Sequence, residues 1–232
     1  MHTLLITGAS QGIGLETARL CLAAGYRVIN LSRHGVPDAA IEHHNIDLSL
    51  ADSESQLREL LAARLPAGKI TLVHNAARLD NDTAAATPTA NFREVMAVNL
   101  VAPHMLNQLV IPLMQPGSSI IYIGSTLSEK AVPNTYSYVV SKHAIIGMMR
   151  ATCQDLAGQQ IHTTCICPGF TDTQMLRTHV GDDQAVLAHI ASLSTFGRLV
   201  EPQEVARTIK FAAENPVLNG AVIHANLGQV ET

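Results

Sequence analysis

Short apolar runs alternate with longer amphipathic stretches along the whole chain. Seven runs rich in β-branched residues predict strands, at 2–7, 26–32, 41–46, 69–75, 118–124, 161–167 and 220–225. Five longer stretches predict helices, at 13–24, 51–65, 91–114, 135–158 and 202–213. Strands that alternate with helices in this way are typical of a parallel sheet covered by helices on both faces. The pattern therefore predicts an α/β fold with a doubly wound parallel sheet in three layers.

One connection is short for this pattern. Only eight residues, RHGVPDAA, separate the second predicted strand from the third. A crossover between parallel strands usually needs roughly a dozen residues or more, and a helix. Either that helix is reduced to a turn, or the predicted strand ends are misplaced by about two or three residues. Because no repeat, low-complexity tract or linker interrupts the chain, we expect a single domain over residues 1–232.

The composition fits one compact domain with a large core. Of the 232 residues, 47% are hydrophobic and only 15% are charged. No apolar run approaches the ~18 residues that a membrane span needs, and the N-terminus MHTLLITGAS lacks the positive cluster of a signal peptide. We therefore expect a cytoplasmic protein without a membrane partner. The net charge of −4, without a basic run, also argues against a nucleic-acid partner.

The cysteine residues do not predict a metal site. Cys165 and Cys167 alternate in the apolar segment IHTTCIC, where we expect them to lie in a buried strand as small hydrophobic residues. A zinc site would require a second cysteine pair or a matching histidine spacing, and neither accompanies them. We therefore expect no metal.

A glycine cluster follows the first predicted strand. In TGASQGIG, residues 7–14, the three glycines Gly8, Gly12 and Gly14 lie between that strand and the first predicted helix. Glycine lets backbone N–H groups approach a pyrophosphate without a Cβ atom in the way, and the positive end of the helix favours the anion. A glycine-rich turn without a ligand would look similar, but the position at the first βα turn favours dinucleotide binding.

A second candidate site lies in the segment TYSYVVSKHAII, residues 135–146, which contains two tyrosines and one lysine. In a helix, residues i and i+4 lie on the same face, and Tyr138 and Lys142 satisfy this spacing while Tyr136 does not. A nearby ammonium group favours the ionised phenol, so we expect the pKa of Tyr138 to lie below its usual value of ~10. By itself, the spacing also fits two side chains that share a helix surface.

These and further motifs, in the same order along the chain, resemble the short-chain dehydrogenase/reductase family. TGASQGIG is similar to the family's TGxxxGxG, HNAA at 74–77 to its NNAG, and Tyr138-x-x-x-Lys142 to its catalytic pair. The remaining matches are Asp47-Leu48, Asn99, Ser125, Pro168-Gly169 with Thr173, and FGRLVEPQEVA at 196–206. His74 and Ala77 depart from the family's Asn and Gly, and the methyl group of Ala77 narrows the space expected beside the adenine and ribose.

The resemblance implies a Rossmann-type fold and an NAD(P)-dependent enzyme that interconverts a ketone or aldehyde and an alcohol by hydride transfer. It implies that Tyr138 is the general acid/base, that Ser125 hydrogen-bonds the reacting oxygen and that Lys142 contacts the nicotinamide ribose. Asn99 would hold a water that links Lys142 to solvent, or would instead bond helix backbone. The implied cofactor-binding residues are Gly8, Ser10, Gln11, Gly12, Ile13, Gly14, Ser32, Arg33, Asp47, Leu48, Asn75, Ala76, Ala77, Tyr138, Lys142, Pro168, Gly169, Thr171 and Thr173.

The end of the second strand predicts which nicotinamide dinucleotide is bound. At this place an acidic residue accepts hydrogen bonds from the ribose 2′-OH of NAD, whereas a basic residue pairs with the 2′-phosphate of NADP. The segment VINLSRHG has Ser32 and Arg33 there, so no acid repels a phosphate and a guanidinium can bind it bidentately. We predict a preference for NADP(H), with NAD(H) as the alternative, although Arg33 also fits a merely solvated side chain.

Residues 170–200 lie where the family has its mobile substrate loop. The residues that could line an apolar pocket there, or pack equally well as an ordinary amphipathic helix, are Phe170, Met175, Leu176, His179, Val180, Leu187 and Leu193. We expect the substrate to be a small or medium-sized ketone, aldehyde or alcohol. By the same resemblance, we expect a homodimer or homotetramer formed through the helices around 91–114 and 135–158 and through the last strand region.

Three other functions fit parts of the sequence. An enoyl reductase of the same superfamily would have its tyrosine seven residues before the lysine, but position 135 is Thr. A pteridine reductase shares the Tyr-x-x-x-Lys pair and a similarly short chain, so this function stays open. A non-catalytic nucleotide sensor usually loses the tyrosine or the lysine, whereas all four catalytic positions are filled here.

Overall fold

In the computed structural model of the protein, which describes residues 2–230, parallel strands form a seven-stranded sheet. The strands are β1 (His2–Thr7), β2 (Arg27–Ser32), β3 (Glu42–Asn45), β4 (Lys69–His74), β5 (Ser119–Ile123), β6 (His162–Pro168) and β7 (Ala221–Ala225). All seven predicted strands are confirmed, each within one residue at either end. Parallel strands covered on both faces are apolar along their whole length, which makes them visible in the sequence.

The helices lie on both faces of this sheet. They are α1 (Gly12–Ala23), α2 (Ser53–Arg64), α3 (Thr89–Met96), α4 (Ala102–Val110), α5 (Tyr136–Asp155), α6 (Gln174–Val180), α7 (Gln184–Ser192) and α8 (Pro202–Glu214). The predicted helices are confirmed, with 91–114 divided into α3, a π-helical turn at Ala97–Val101 and α4. Both α6 and α7 lie in the segment 170–200, where the sequence left a loop and an amphipathic helix equally open.

Two apolar clusters join the helices to the sheet. One face packs α2, α4 and α5 against the strands through buried residues such as Leu57, Leu106 and Met149. The other face packs α1 and α8 through residues such as Ala18 and Val205. The predicted three-layer, Rossmann-type fold is therefore confirmed.

The strand order β3-β2-β1-β4-β5-β6-β7 places a topological switch point beside β1. The chain proceeds outward from β1 to β2 and β3, then returns to β4 on the other side of β1. At such a point the loops after the two central strands diverge and leave a crevice at their carboxyl ends. The short connection between β2 and β3 contains no helix, so the crossover is reduced to a turn, as one of the two sequence interpretations required.

The helical stretch Thr89–Leu113 differs from the sequence-based expectation. By length and composition this helical stretch could cross a membrane, whereas we expected no apolar segment long enough to do so. However, 44% of its most apolar window is buried inside the protein, and Leu106 and Val110 belong to the central core. We therefore interpret it as a core helix of this fold.

The two cysteines of the IHTTCIC segment lie in β6 and are fully buried, as predicted. Their Sγ atoms are 3.9 Å apart, and a Cβ atom on Gly124 would lie 2.7 Å from the sulfur of Cys167. The thiols thus fill the space beneath the end of β5. Within residues 2–230, no group of three or more His, Cys, Asp or Glu residues could hold a metal ion.

Candidate active site

A cavity of about 350 Å³ opens at the carboxyl-terminal edge of the sheet. Its walls come from the turn after β1, the loops after β2, β3, β4, β5 and β6, the first turns of α5, and α6. Every residue predicted to bind the cofactor lines this cavity, and so does Ser125. Asn99 is the one predicted site residue outside the lining.

Side chains at the ends of β1 and β4 hold the turn after β1 in place. Thr7 Oγ1 accepts hydrogen bonds from the backbone N–H groups of Asn75 and Ala76, at 3.0 and 2.9 Å. The Asn75 amide nitrogen donates to the carbonyl oxygens of Thr7 and Gly8, at 2.9 and 3.0 Å. Because the Asn75 amide nitrogen donates to two carbonyl oxygens in this way, the side chain of Asn75 holds the turn in shape.

Glycine is required at two positions of this turn. A Cβ atom on Gly14 would lie 2.4 Å from the Gly8 carbonyl oxygen and 2.6 Å from Asn75 Nδ2. Gly8 has a φ of +71°, and a Cβ atom there would lie 3.0 Å from Ala76 Cα. No side chain caps the N-terminus of α1, where Gln11 is the N-cap residue. The first N–H groups of α1 are therefore available to an anion, and this cradle fits the pyrophosphate of a dinucleotide.

Asn30, which the sequence analysis missed, anchors the same turn from β2. Its side chain is fully buried, and its Oδ1 accepts a hydrogen bond from the backbone N–H of Ala9 at 2.9 Å. Its Nδ2 donates to Ser32 Oγ at 2.9 Å and lies 3.1 Å from His43 Nδ1. A polar residue in the middle of the apolar strand YRVINLS was the signal that could have identified it, because buried amides need partners.

The end of β2 presents a guanidinium to the cavity. Ser32 Oγ donates to the His34 carbonyl oxygen at 2.8 Å, so its hydroxyl proton is already engaged. Arg33 lines the cavity, is exposed, and forms no ion pair among residues 2–230. Across the cleft, Ser49 donates to the Asp47 carboxylate at 2.6 Å and lowers the pKa of Asp47, with Arg33 as a smaller cause.

Tyr138 and Lys142 lie one turn apart on α5, and both are buried. The Lys142 Nζ atom is 5.4 Å from the centroid of the Tyr138 ring and donates to the Ile123 carbonyl oxygen at 2.7 Å. Tyr136 is 41% exposed, and its ring packs 6.0 Å from that of Phe92. The lysine therefore faces Tyr138, and Tyr136 belongs to the outer surface of the helix.

Burial controls the protonation of this pair. It raises the pKa of Tyr138 to about 12, against the opposing effect of the Ser125 hydroxyl. It lowers the pKa of Lys142 to about 8. The expectation of a lowered phenol pKa is therefore wrong for this structure, because desolvation outweighs an ammonium group that is directed at a backbone carbonyl. At neutral pH Tyr138 keeps its proton and is a hydrogen-bond and proton donor.

Replacing Lys142 by Met is expected to raise the free energy of unfolding at pH 7. The lysine pKa falls from 10.5 to about 8 on folding, a cost of about 3 kcal/mol at about 1.4 kcal/mol per pKa unit. The lost bond to the Ile123 carbonyl offsets about 1 kcal/mol of this gain. Because the unfolded chain binds the proton more tightly, the wild-type protein gains stability between pH 8 and 10.5 and the variant does not. Urea unfolding at pH 7 and pH 9.5 tests this, and a gap independent of pH would contradict it.

Asn99 lies in the π-helical turn and points away from the cavity. Its Oδ1 accepts from the backbone N–H of Arg78 at 2.8 Å, and its Nδ2 donates to the Arg78 carbonyl oxygen at 3.0 Å and to Ser141 Oγ at 2.9 Å. Ser141 in turn donates to the Tyr138 carbonyl oxygen at 2.8 Å. The amide therefore ties the loop after β4 to the first turns of α5, and a water held at Asn99 stays a prediction.

His74, one of the departures from the family motif, is buried behind the site. Its Nε2 lies 2.9 Å from Asn107 Oδ1, and its ring packs 4.8 Å from that of Tyr122. Burial lowers the pKa of His74 to about 4, so the imidazole is neutral at pH 7. Ala77, the other departure, lines the cavity as the motif predicts. The histidine therefore belongs to the core between β4 and α4 and is not among the residues that line the cavity.

The remaining wall of the cavity is apolar. Five of the seven loop residues suggested by the sequence line it, namely Phe170, Met175, Leu176, His179 and Val180. Leu187 is instead buried in α7, and Leu193 lines a separate small space. Leu127 and Val132, which flank the catalytic candidates, complete this wall. Sequence analysis missed both, because isolated apolar residues in loops carry no pattern.

Comparison with known proteins identifies relatives over nearly the whole chain. A family model described as enoyl-(acyl carrier protein) reductase matches residues 8–229. The 2-keto-3-deoxy-L-fuconate dehydrogenase of Xanthomonas campestris is 32% identical over 226 residues, which cover 91% of this chain and 73% of that protein.

Solved structures share the fold to the same extent. The aldohexose dehydrogenase of Thermoplasma acidophilum, in ligand-free form, superposes with a TM-score of 0.89 at 27% identity, over 98% of this chain and 93% of that one. An angucycline C-6 ketoreductase with bound NADP superposes with a TM-score of 0.86 at 28% identity, over 98% and 95% of the two chains.

Proposed function

Because the chain belongs to the short-chain dehydrogenase/reductase family, we propose that it reduces a ketone or aldehyde to an alcohol, with NADP(H) as its preferred cofactor. It is an NAD(P)-dependent oxidoreductase that acts on CH–OH and C=O groups. The observation that carries the finer proposal is the meeting of Ser125, Tyr138 and Lys142 in the cavity that also contains the glycine turn.

The proposed chemistry divides between the cofactor and the chain. The nicotinamide, when bound, supplies or accepts the hydride. Tyr138 gives its phenolic proton to the carbonyl oxygen as negative charge develops there, and the Ser125 hydroxyl donates a hydrogen bond to the same oxygen. Lys142 donates to the Ile123 carbonyl oxygen and lies 5.4 Å from the centroid of the Tyr138 ring. Burial raises the pKa of Tyr138 to about 12, so the phenol is protonated at neutral pH and can act as the general acid of the reduction.

The cofactor preference rests on the end of β2. Arg33 is exposed at the cavity without an acidic partner in the described chain, and Ser32 stands where an acid would otherwise repel a phosphate. A guanidinium binds a phosphate dianion with two parallel hydrogen bonds. One structural relative contains bound NADP, which supports the proposal by analogy alone.

Replacing Arg33 by Ala is expected to weaken NADPH binding at least about tenfold and NADH binding by less than about twofold, because only the 2′-phosphate needs the charge. Arg58→Ala on the exposed surface of α2 is the matched control, since its partner is Glu54 and it lies outside the cavity. Fluorescence titration with each dinucleotide measures both affinities. Equal losses for the two cofactors after Arg33→Ala would refute the assignment.

A panel of carbonyl compounds with NADPH, followed by the absorbance of the cofactor, tests the reaction. Turnover of ketones or aldehydes supports the proposal. Turnover of quinonoid dihydropterin alone would favour the pteridine reductase, and turnover of α,β-unsaturated thioesters alone would favour an enoyl reductase. Dinucleotide binding without any turnover would favour the nucleotide sensor. Self-association and a cytoplasmic location stay predictions.

A further inference from the structure

The wall of the cavity formed by α6 and the loops beside it is apolar. We call it the α6 pocket and define it by Leu127, Val132, Phe170, Met175, Leu176 and Val180. Leu127 follows the proposed catalytic Ser125 by two residues, and Val132 precedes Tyr138 by six, so the pocket adjoins the reacting groups along the chain. An apolar wall of this kind stabilises the part of a substrate that it removes from water.

Outside the proposed cofactor and catalytic residues, no uncompensated charge lines the cavity within residues 2–230. Arg78 is the charged lining residue outside the proposed cofactor and catalytic set, and its Nε lies 2.9 and 3.0 Å from the two Asp80 carboxylate oxygens. Its Nη1 also pairs with Glu94. Arg177, the cation of α6, is held by Asp172 at 2.9 and 3.0 Å and lies outside the lining. A carboxylate placed in this pocket would therefore lose its hydration without gaining a free cation.

One polar side chain interrupts the apolar wall. His179, in the last turn of α6, lines the cavity and is half-buried, and no described residue forms a hydrogen bond with its ring. Burial lowers its pKa below the ordinary value, so the imidazole is neutral at pH 7. A neutral imidazole has one N–H donor and one acceptor nitrogen. Because neither nitrogen of the His179 ring has a hydrogen-bond partner among the described residues, the ring can form a hydrogen bond with a neutral oxygen atom of a ligand.

We propose that the substrate is an uncharged carbonyl compound whose apolar body packs in the α6 pocket and whose second, neutral oxygen hydrogen-bonds to His179. The inference rests on the proposed reductase function and adds the substrate class to it. The charge balance of the pocket disfavours sugar acids and other carboxylates, and its apolar wall disfavours long polar substrates.

A matched pair of small ketones tests the charge requirement. Methyl 4-oxopentanoate and 4-oxopentanoate have the same reacting carbonyl and differ in one negative charge and one methyl group, and the methyl group alone accounts for only about a three- to fourfold difference. With NADPH at pH 7.5, we expect kcat/KM for the ester to exceed that for the carboxylate at least about tenfold. Among 2-alkanones from butanone to octanone, we expect about a three- to fourfold rise in kcat/KM per methylene. A carboxylate that reacts as well as its ester, or a flat alkanone series, would overturn the proposal.

The role of His179 is tested by a ratio that a general structural defect would not change. The ester and 2-heptanone have chains of the same length, and only the ester has remote oxygens. In His179→Leu we expect the ester-to-heptanone ratio of kcat/KM to fall about three- to tenfold, the range of one hydrogen bond. His189→Leu, an exposed histidine on α7 outside the lining, is the control and should keep the wild-type ratio. Equal ratios in all three proteins would exclude His179 from substrate recognition.

Binding without turnover separates this inference from the proposed function. If neither ketone is reduced with NADPH or NADH, carbonyl reduction is wrong. Saturation-transfer NMR of the same ester and carboxylate with the full chain then decides the pocket chemistry independently. Stronger transfer to the ester supports the inference, whereas equal or stronger transfer to the carboxylate, or none to either, overturns it.

Discussion

Replacing Tyr138 by Phe is expected to lower kcat for carbonyl reduction about a thousandfold, the typical contribution of a positioned general acid. The phenyl ring keeps the packing of the buried side chain, which is 9% exposed, and only the proton donor disappears. NADPH affinity is expected to change less than about threefold, because the glycine turn and Arg33 are untouched. Stopped-flow measurement of cofactor oxidation with a saturating ketone determines kcat, and a fluorescence titration determines the affinity.

Tyr136→Phe is the matched control for this experiment. It removes the same hydroxyl group two residues away, from a ring that packs on Phe92 at the outer surface of α5. We expect kcat within about twofold of the wild-type value. A Tyr138→Phe enzyme with full activity, or a loss of the same size in Tyr136→Phe, would show that α5 does not present the proton donor to the substrate.

Much of the fold can be predicted from the sequence because buried parallel strands have a recognisable pattern of residues. The runs that became β1, β2, β4, β5 and β6 are buried along almost their whole length, because helices cover both faces of each, and β-branched and apolar residues make up at least half of every run. The cavity follows in the same way. The carboxyl ends of parallel strands meet at one edge, so motifs far apart in the chain must converge there. Residues as distant as Gly8, Tyr138 and Thr173 therefore line one space.

The errors arise where three-dimensional burial, not spacing, decides the chemistry. The i, i+4 relation of Tyr138 and Lys142 places them together, but it says nothing about desolvation, which raises the pKa of the phenol. Spacing likewise does not reveal the π-helical turn, which directs the Asn99 amide toward Arg78 and Ser141. Asn30 shows the converse case. Its structural role could have been predicted from the sequence, because an amide within a buried strand needs hydrogen-bond partners.

Replacing Gly14 by Ala is expected to weaken NADPH binding about a hundredfold and to lower the free energy of unfolding by about 1–3 kcal/mol. The new Cβ atom would lie 2.4 Å from the Gly8 carbonyl oxygen and 2.6 Å from Asn75 Nδ2. Neither neighbour can yield without loss, since the oxygen is backbone and the amide donates to Thr7 and Gly8. The turn must therefore open, which displaces the N–H groups at the start of α1. NADPH titration and urea unfolding measure the two effects.

Gly147→Ala separates this steric effect from the general effect of a glycine replacement. Gly147 lies on α5, and a Cβ atom there would meet no other atom within 4 Å. We expect this variant to gain up to about 1 kcal/mol of stability, because alanine favours the helix, and to bind NADPH normally. If Gly14→Ala bound NADPH as well as Gly147→Ala does, the close contact of the turn with Asn75 would not be what shapes the dinucleotide cradle. The stability changes expected at the two positions have opposite signs because an added Cβ atom would lie 2.4 Å from a backbone oxygen at Gly14 but would meet no atom within 4 Å at Gly147.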